Sequence, residues 1–192
     1  MTFDLTHHRS RRSILGGAGK TLSLTGLALV AGGVSPAFAA KDDAISQDVQ
    51  ILNAAIALEH EGIAAYQIAA TSGLLEPGVV EIGLTFQGHH KGHRDALVKA
   101  VRDLGGNPVA EKALDEYAQA LGAATLKSQS DVLKLALKLE RGAANAYLGL
   151  IPSLGPDYHQ IAARMAGDEA FHAAILGNAL GEPIPKSALI FG

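Results

Sequence analysis

Four long segments with helical periodicity limit most strongly what this chain can fold into. Clusters of glycine and proline separate the segments, and no stretch alternates like a strand over a useful length. The segments run from about Asp43 to Ser72, from Val79 to Leu104, from Ser130-Asp131 to just before Pro152, and from Pro156-Asp157 to Gly181. They predict four long helices in an all-α fold, with a cap for the third helix at Ser130-Asp131.

The connections between these segments differ in length. The first and third are short, whereas the middle one extends from Val109 to Gln129 and has helical character from Ala110 to Leu121. Short connections join antiparallel neighbours, and one long crossover is typical of bundles made of two antiparallel hairpins. The pattern therefore predicts an antiparallel four-helix bundle with one long crossover that contains a short extra helix.

Residues 1–40 differ from the rest of the chain and resemble an export signal. A basic stretch with the pair Arg11-Arg12 precedes a weakly apolar segment from Thr21 to Val34 and the small-x-small sequence Ala37-Phe38-Ala39. The arginine pair resembles the twin-arginine signal, and the apolar segment is shorter than the ~20 residues of a membrane span. We predict cleavage near Ala39, a periplasmic or otherwise exported location, and a bundle domain of residues 41–192 without stable membrane insertion.

The net charge of the predicted exported part restricts the classes of partner that it can bind. Without residues 1–40, which hold four basic residues and one acidic residue, the chain carries 12 basic and 18 acidic residues. This acidic balance argues against nucleic acid and anionic membrane surfaces as partners, and it leaves a homodimer open. The chain has no cysteine, which excludes disulfides, thiolate metal sites and cysteine nucleophiles.

Ionisable residues interrupt the inner, apolar seam of each predicted helix near its middle. They are Glu59 in the first helix, His90 and His93 in the second, Glu140 in the third, and Glu169 and His172 in the fourth. A buried carboxylate is costly unless it is paired or bound to a metal, and residues at i and i+3 share one helix face. Carboxylate oxygens and imidazole nitrogens suit Fe, Mn or Zn, so the seams predict a metal centre inside the bundle.

The chain also contains an internal repeat. Glu59 is followed by Tyr66, and Glu140 by Tyr147, at the same spacing in the first and third helices. The repeat predicts two hairpins related by a pseudo-two-fold axis. Tyr66 and Tyr147 are expected either to donate hydrogen bonds toward the metal centre or to pack in the core.

The ferritin-like di-iron and di-manganese carboxylate proteins have a single Glu on two helices and Glu-x-x-His on the other two. The seams of this chain resemble that pattern. Within that group the chain is similar to exported bacterial ferritin-like proteins related to the desiccation-related proteins. The resemblance covers about Ile45 to Gly181, and its strongest match is Asp168-Glu169-Ala170-Phe171-His172. It implies one or two Fe or Mn ions, with Zn also compatible, and ligands at Glu59, His93, Glu140, Glu169 and His172.

His90 departs from the family pattern, which has Glu at this position, three residues before His93. Three carboxylates then face three imidazoles, and two divalent ions would bring more positive charge than the carboxylates balance. The change puts a symmetric di-iron centre in doubt and permits a tighter and a weaker metal position, or a single ion.

The resemblance leaves two functions open. One is a metalloprotein that oxidises Fe(II) or handles peroxide under oxidative stress, either as a ferroxidase or as a peroxide-consuming enzyme. The other is a stress- or desiccation-related interaction protein whose buried polar network holds no metal. Off the seams, we expect His60, Glu61 and His159 to be solvated, and His89 to be solvated or paired with His93. Gln87 is expected at the rim of the site or as a hydrogen-bond donor to its ligands.

Overall fold

The computed structural model describes residues 41–192, with side chains from Ala44 onward. The predicted twin-arginine signal and its cleavage near Ala39 lie outside the described residues. The elements are α1 (Lys41–Thr71), α2 (Pro77–Asp103), α3 (Leu114–Ala120), α4 (Gln129–Leu150) and α5 (Pro156–Ala179), with short 3-10 turns at Ala123–Thr125 and Ile151–Ser153. Residues 41–192 contain no strand, and the predicted all-α bundle with a short helix in its long crossover is confirmed.

The helix ends follow from local sequence. Proline occupies the first position of α2 and α5, where its missing N–H has no intrahelical partner to lose. Gly105 and Gly181 follow the last residues of α2 and α5 at φ 77° and 71°, a conformation that glycine adopts without steric cost. The predicted cap of α4 at Ser130-Asp131 is wrong, because Ser128 caps this helix by accepting a hydrogen bond from the Asp131 N–H.

The crossover helix begins later than the sequence predicts. We expected helix from Ala110, but α3 begins at Leu114. The Asn53 side chain donates to the Asn107 carbonyl at 3.0 Å and accepts from the Val109 N–H at 2.7 Å. These bonds to α1 hold the start of the crossover out of helical conformation, so tertiary contact overrides local propensity.

Two hairpins, α1–α2 and α4–α5, form the bundle, and the most extensive packing lies within each hairpin. One apolar cluster at one end includes Leu52, Ile56, Leu97, Tyr147 and Met165. A second cluster at the other end includes Phe86, Leu133, Leu137, Ala173 and Leu176. On each of the four long helices the ionisable seam residues lie between the two clusters, so the apolar ends shield a polar middle layer from water.

The described helices also bear on membrane association. None of the helices in residues 41–192 combines the length and the hydropathy that a bilayer span requires.

Candidate metal centre

The six seam residues converge in the middle of the bundle. Each is at most 9% exposed, and Glu169 and His172 are fully buried. The set comprises Glu59, His90, His93, Glu140, Glu169 and His172. So much buried polarity is costly in a small core unless every group has a partner.

The six side chains form two overlapping sets of four donor groups. Glu59, His90, His93 and Glu169 make one set, and His90, Glu140, Glu169 and His172 make the other. Within each set, one ligand atom from every residue lies within 4.8 Å of all the others. His90 and Glu169 belong to both sets, which places two candidate metal positions side by side.

Both tyrosines of the repeat reach the centre. Tyr66 donates to Oε1 of Glu140, and Tyr147 donates to Oε1 of Glu59, so each tyrosine bonds the glutamate of the other hairpin. Burial raises the pKa of both phenols, and the neighbouring carboxylates raise it further. Each hydroxyl therefore stays protonated as a donor and fixes one carboxylate oxygen.

His93 and His172 turn one ring nitrogen inward and the other outward. Nδ1 of His93 lies 3.1 Å from Oε1 of Glu169, and Nδ1 of His172 lies 3.1 Å from Oε2 of the same residue. The outward Nε2 of His93 contacts Oδ2 of Asp168 at 3.1 Å, and that of His172 contacts Nδ1 of the exposed His89 at 2.8 Å. Partners on the outer nitrogen fix the ring orientation of metal-binding histidines.

Asp168 and His89, which orient these two rings, lie off the predicted seams. Asp168 is next to Glu169 but 61% exposed at its side chain, and His89 is next to His90 but on the outside of α2. His89 is exposed, in agreement with the first of its two expectations, and it contacts His172 across the bundle rather than His93. The acidic residue beside the Glu-x-x-His sequence was the available signal for Asp168.

Without metal, the centre is a network of oppositely charged groups. Burial opposes charge on Glu59, but hydrogen bonds from His90 and His93 outweigh burial and lower its pKa. Burial would lower the pKa of His93, but bonds to Glu169 and Glu59 raise it to about 10. Despite their burial, His90 and His172 also have raised pKa values, because neighbouring carboxylates accept hydrogen bonds from their protonated rings. Glu169 differs, since its burial raises its pKa.

Two predictions for residues off the seam are wrong. His60 was expected to be solvated but is only 7% exposed, because the crossover covers it and brings the Val109 carbonyl within 3.3 Å of Nε2. Gln87 was placed at the rim but is 4% exposed. It donates to the Ile63 carbonyl at 3.0 Å and accepts from Nζ of Lys91 at 2.8 Å, so it joins α2 to α1.

Two further off-seam residues, Glu61 and His159, are half-buried rather than fully solvated. Burial raises the pKa of Glu61. Nε2 of His159 lies 2.8 Å from the Leu154 carbonyl near the start of α5. Neither residue belongs to the two donor sets.

An apolar cavity of about 50 Å³ borders the centre on one side. It lies between α1, α4 and the crossover, and it reaches His90, Glu140 and Tyr66. Most other lining residues are aliphatic and include Leu58, Leu126, Val132, Leu135 and Leu139. A cavity with such walls favours small uncharged molecules over ions.

Comparison with known proteins agrees with this architecture. The sequence profile of the ferritin-like domain matches residues 47–182. The chain belongs to the ferritin-like domain family. Among solved structures it is similar to a conserved hypothetical protein, rv2844, from Mycobacterium tuberculosis, with 24% identity and a TM-score of 0.61 over 75% of this chain and 97% of that one. At this identity the likeness shows the fold alone, and no curated protein matches the sequence.

The donor atoms of this ferritin-like protein fit a transition-metal site. Each set combines two carboxylates with two imidazoles, a mixture that suits Fe, Mn and Zn. The donors are buried and close together, and further residues orient both carboxylates and imidazoles. The buried clusters of this ferritin-like domain are thus compatible with metal binding.

Gly62 gives a direct test of the centre's packing. A Cβ added there would lie 3.0 Å from Cε1 and Nδ1 of His90, so Gly62→Ala is expected to displace the ring. We expect zinc affinity to fall by roughly tenfold or more, as for other disturbances of ligand orientation. Gly92→Ala is the matched control, since its Cβ would meet nothing within 4 Å. The control should keep zinc affinity and gain up to ~1 kcal/mol of helix stability; equal zinc affinity in both variants would contradict the prediction.

Proposed function

We propose that this ferritin-like protein is exported and holds one or two transition-metal ions, Fe or Mn with Zn also compatible, for iron oxidation or peroxide removal under oxidative stress. The observation that carries the proposal is the pair of four-donor sets that share His90 and Glu169. Glu59 and His93 would hold one ion, Glu140 and His172 the other, and the shared residues both. When bound, Fe or Mn supplies one-electron redox chemistry.

The protein's own residues prepare the centre for that chemistry. Tyr66 and Tyr147 keep their protons on Oη and fix Glu140 and Glu59. The apolar clusters at both ends exclude bulk water from the middle layer. The cavity beside Tyr66 offers a small uncharged oxidant a route to His90 and Glu140.

The proposed reaction is the oxidation of Fe(II) by hydrogen peroxide. Hydrogen peroxide takes one electron from each of two Fe(II) substrate ions and two protons from solvent, and leaves as two water molecules. The buried carboxylates supply negative charge where Fe(III) product develops.

Metal content and oxidation rate together test the proposal. We expect protein purified from its native compartment to contain Fe or Mn. We also expect it to accelerate the oxidation of Fe(II) by hydrogen peroxide. Glu140→Gln, which removes a charged donor while preserving shape, should slow this oxidation. Native protein that carries only zinc would overturn the redox role, and native protein without metal would favour the other function.

That second function is a metal-free interaction protein, and one observation favours it. Among the described residues, Nδ1 of His60 is the only fully buried side-chain N or O atom without a hydrogen-bond partner. The buried polar atoms of the centre therefore find hydrogen-bond partners within the protein without metal, among the six residues and from Tyr66, Tyr147, His89 and Asp168. A protein that is metal-free as isolated, and stays so when iron or manganese is supplied, would support this function.

The export part of the proposal concerns Arg11-Arg12. A twin-arginine route carries folded proteins, which suits a metal that is loaded before export. We expect a variant with Lys at both positions to remain in the cytoplasm, as judged by cell fractionation. Arg9→Lys is the matched control and should reach the periplasm normally. Normal export of the double variant would show that the route is wrong.

A further inference from the structure

His90 stands between the two donor sets with both ring nitrogens engaged. Nδ1 lies 2.7 Å from Oε2 of Glu59, on its own hairpin, and Nε2 lies 3.2 Å from Oε1 of Glu140, on the other hairpin. His93 and His172, by contrast, turn only Nδ1 toward the centre. His90 is thus the one histidine of the centre with a site carboxylate on each ring nitrogen.

The surroundings hold this ring in place. Gly62 has no side chain where a Cβ would lie 3.0 Å from the ring. The Tyr66 ring lies beside the His90 ring, with the two ring centroids 5.6 Å apart. His90 is 4% exposed, so neither nitrogen faces bulk water. Gly62 and Tyr66 therefore leave the His90 ring little space to rotate into an orientation in which only one nitrogen faces the centre.

Glu169, like His90, belongs to both donor sets and contacts residues of each. Its Oε1 lies 3.1 Å from Nδ1 of His93, and its Oε2 lies 3.1 Å from Nδ1 of His172. Each shared residue therefore presents one donor atom to each set. The residues of the two donor sets thus contact different ring nitrogens of His90 and different oxygens of Glu169.

We propose that His90 bridges two metal ions, one bound through Nδ1 and the other through Nε2. The inference rests on the proposed function, since it requires that the centre holds metal. An imidazole bound through both nitrogens carries no ring proton and is an anion, so the protons that it held pass to solvent. Together with Glu59, Glu140 and Glu169 it brings four negative charges, which balance two divalent ions.

The bridge has a measurable geometric consequence. Metal–nitrogen bonds of ~2.0 Å on both edges of the ring place the ions roughly 6 Å apart. Two-metal sites in which ions share an oxygen have separations of ~3.5–4 Å. X-ray absorption of zinc-loaded protein reads this difference directly, because a second metal at the shorter distance scatters strongly.

The test compares wild type with His90→Gln and His90→Glu, using Zn(II) alone as the probe. Wild type should bind two zinc ions with no metal scatterer near ~3.5–4 Å. His90→Gln, whose amide lacks the second ring donor, should weaken both zinc positions by roughly tenfold or more. His90→Glu, which restores an anionic bridge, should keep two ions and bring them to the shorter distance.

The outcomes separate this inference from the proposed function. A wild-type metal pair near ~3.5–4 Å overturns the bridge alone. So does a His90→Gln variant in which one zinc position weakens and the other is unchanged, or wild type that binds a single ion. Wild type that binds no zinc, iron or manganese overturns the proposed function together with the bridge. The distance in wild type decides the question even where a variant fails to fold.

Discussion

Glu169→Ala is expected to remove nearly all bound metal from both positions. Glu169 is fully buried and offers one carboxylate oxygen to each donor set, so its loss deprives two positions of a ligand at once. Residues that only orient a ligand already change metal affinity by ~10–100-fold, and we expect a larger loss here. To measure the effect, wild type and variant are dialysed against the same concentration of metal, and the metal content of each protein is determined by elemental analysis.

Two controls separate lost ligation from lost folding. Glu81→Ala removes an exposed carboxylate from α2 and should leave metal content unchanged. Replacing His60, which is buried near the centre but belongs to neither donor set, should also leave it unchanged. Circular dichroism must show that Glu169→Ala keeps its helices, because breaking a buried charge network costs ~3–5 kcal/mol. Unchanged metal content in a folded Glu169→Ala protein would reject the site.

The metal-free protein is expected to lose stability as pH rises above neutrality, whereas the metal-loaded protein is not. Imidazoles of the unfolded chain release their protons near pH ~6.5, but the pKa of His93 in the folded centre is about 10. The folded state therefore binds more protons in this interval, and its stability falls with rising pH. Each proton retained only by the folded state costs ~1.4 kcal/mol of stability per pH unit.

Bound metal is expected to remove this loss of stability at high pH, because metal-bound imidazoles have already lost the protons on their metal-binding nitrogens. Metal affinity rises as competing protons leave, so the loaded protein should hold or gain stability over the same interval. Urea unfolding at about pH 7 and about pH 9, with chelator or with stoichiometric zinc, measures both slopes. Equal slopes in the two states would contradict a centre in which metal replaces protons.

The candidate site stands out in the amino-acid sequence because of a contrast between ionisable and apolar residues. An ionisable residue within an apolar stripe stands out, and Glu59, Glu140 and Glu169 each did so on a different helix. The same contrast cannot reveal Asp168 or His89, because polar residues on outward positions are ordinary. Only the folded structure shows that Asp168 contacts His93 and that His89 contacts His172.

The errors in the crossover arose from contacts between distant parts of the chain. Local propensity favoured helix from Ala110, but the side chain of Asn53 binds the backbone at Asn107 and Val109. The same packing covers His60, whose position off the seam suggested solvent. Helix count and topology depend on periodicity and breakers, which are local, whereas these details depend on which surfaces meet.

The two hairpins are unlike partners that recognise each other by charge. The α1–α2 hairpin brings Glu59, His90 and His93 to the centre, and the α4–α5 hairpin brings Glu140, Glu169 and His172. The first half thus brings two imidazoles and one carboxyl group to the interface, and the second half brings two carboxyl groups and one imidazole. Docking of unlike halves is electrostatically favoured, whereas two like halves would meet with uncompensated charge. In a domain-swapped pair of chains, each α1–α2 hairpin would therefore be expected to pack against an α4–α5 hairpin, with or without metal.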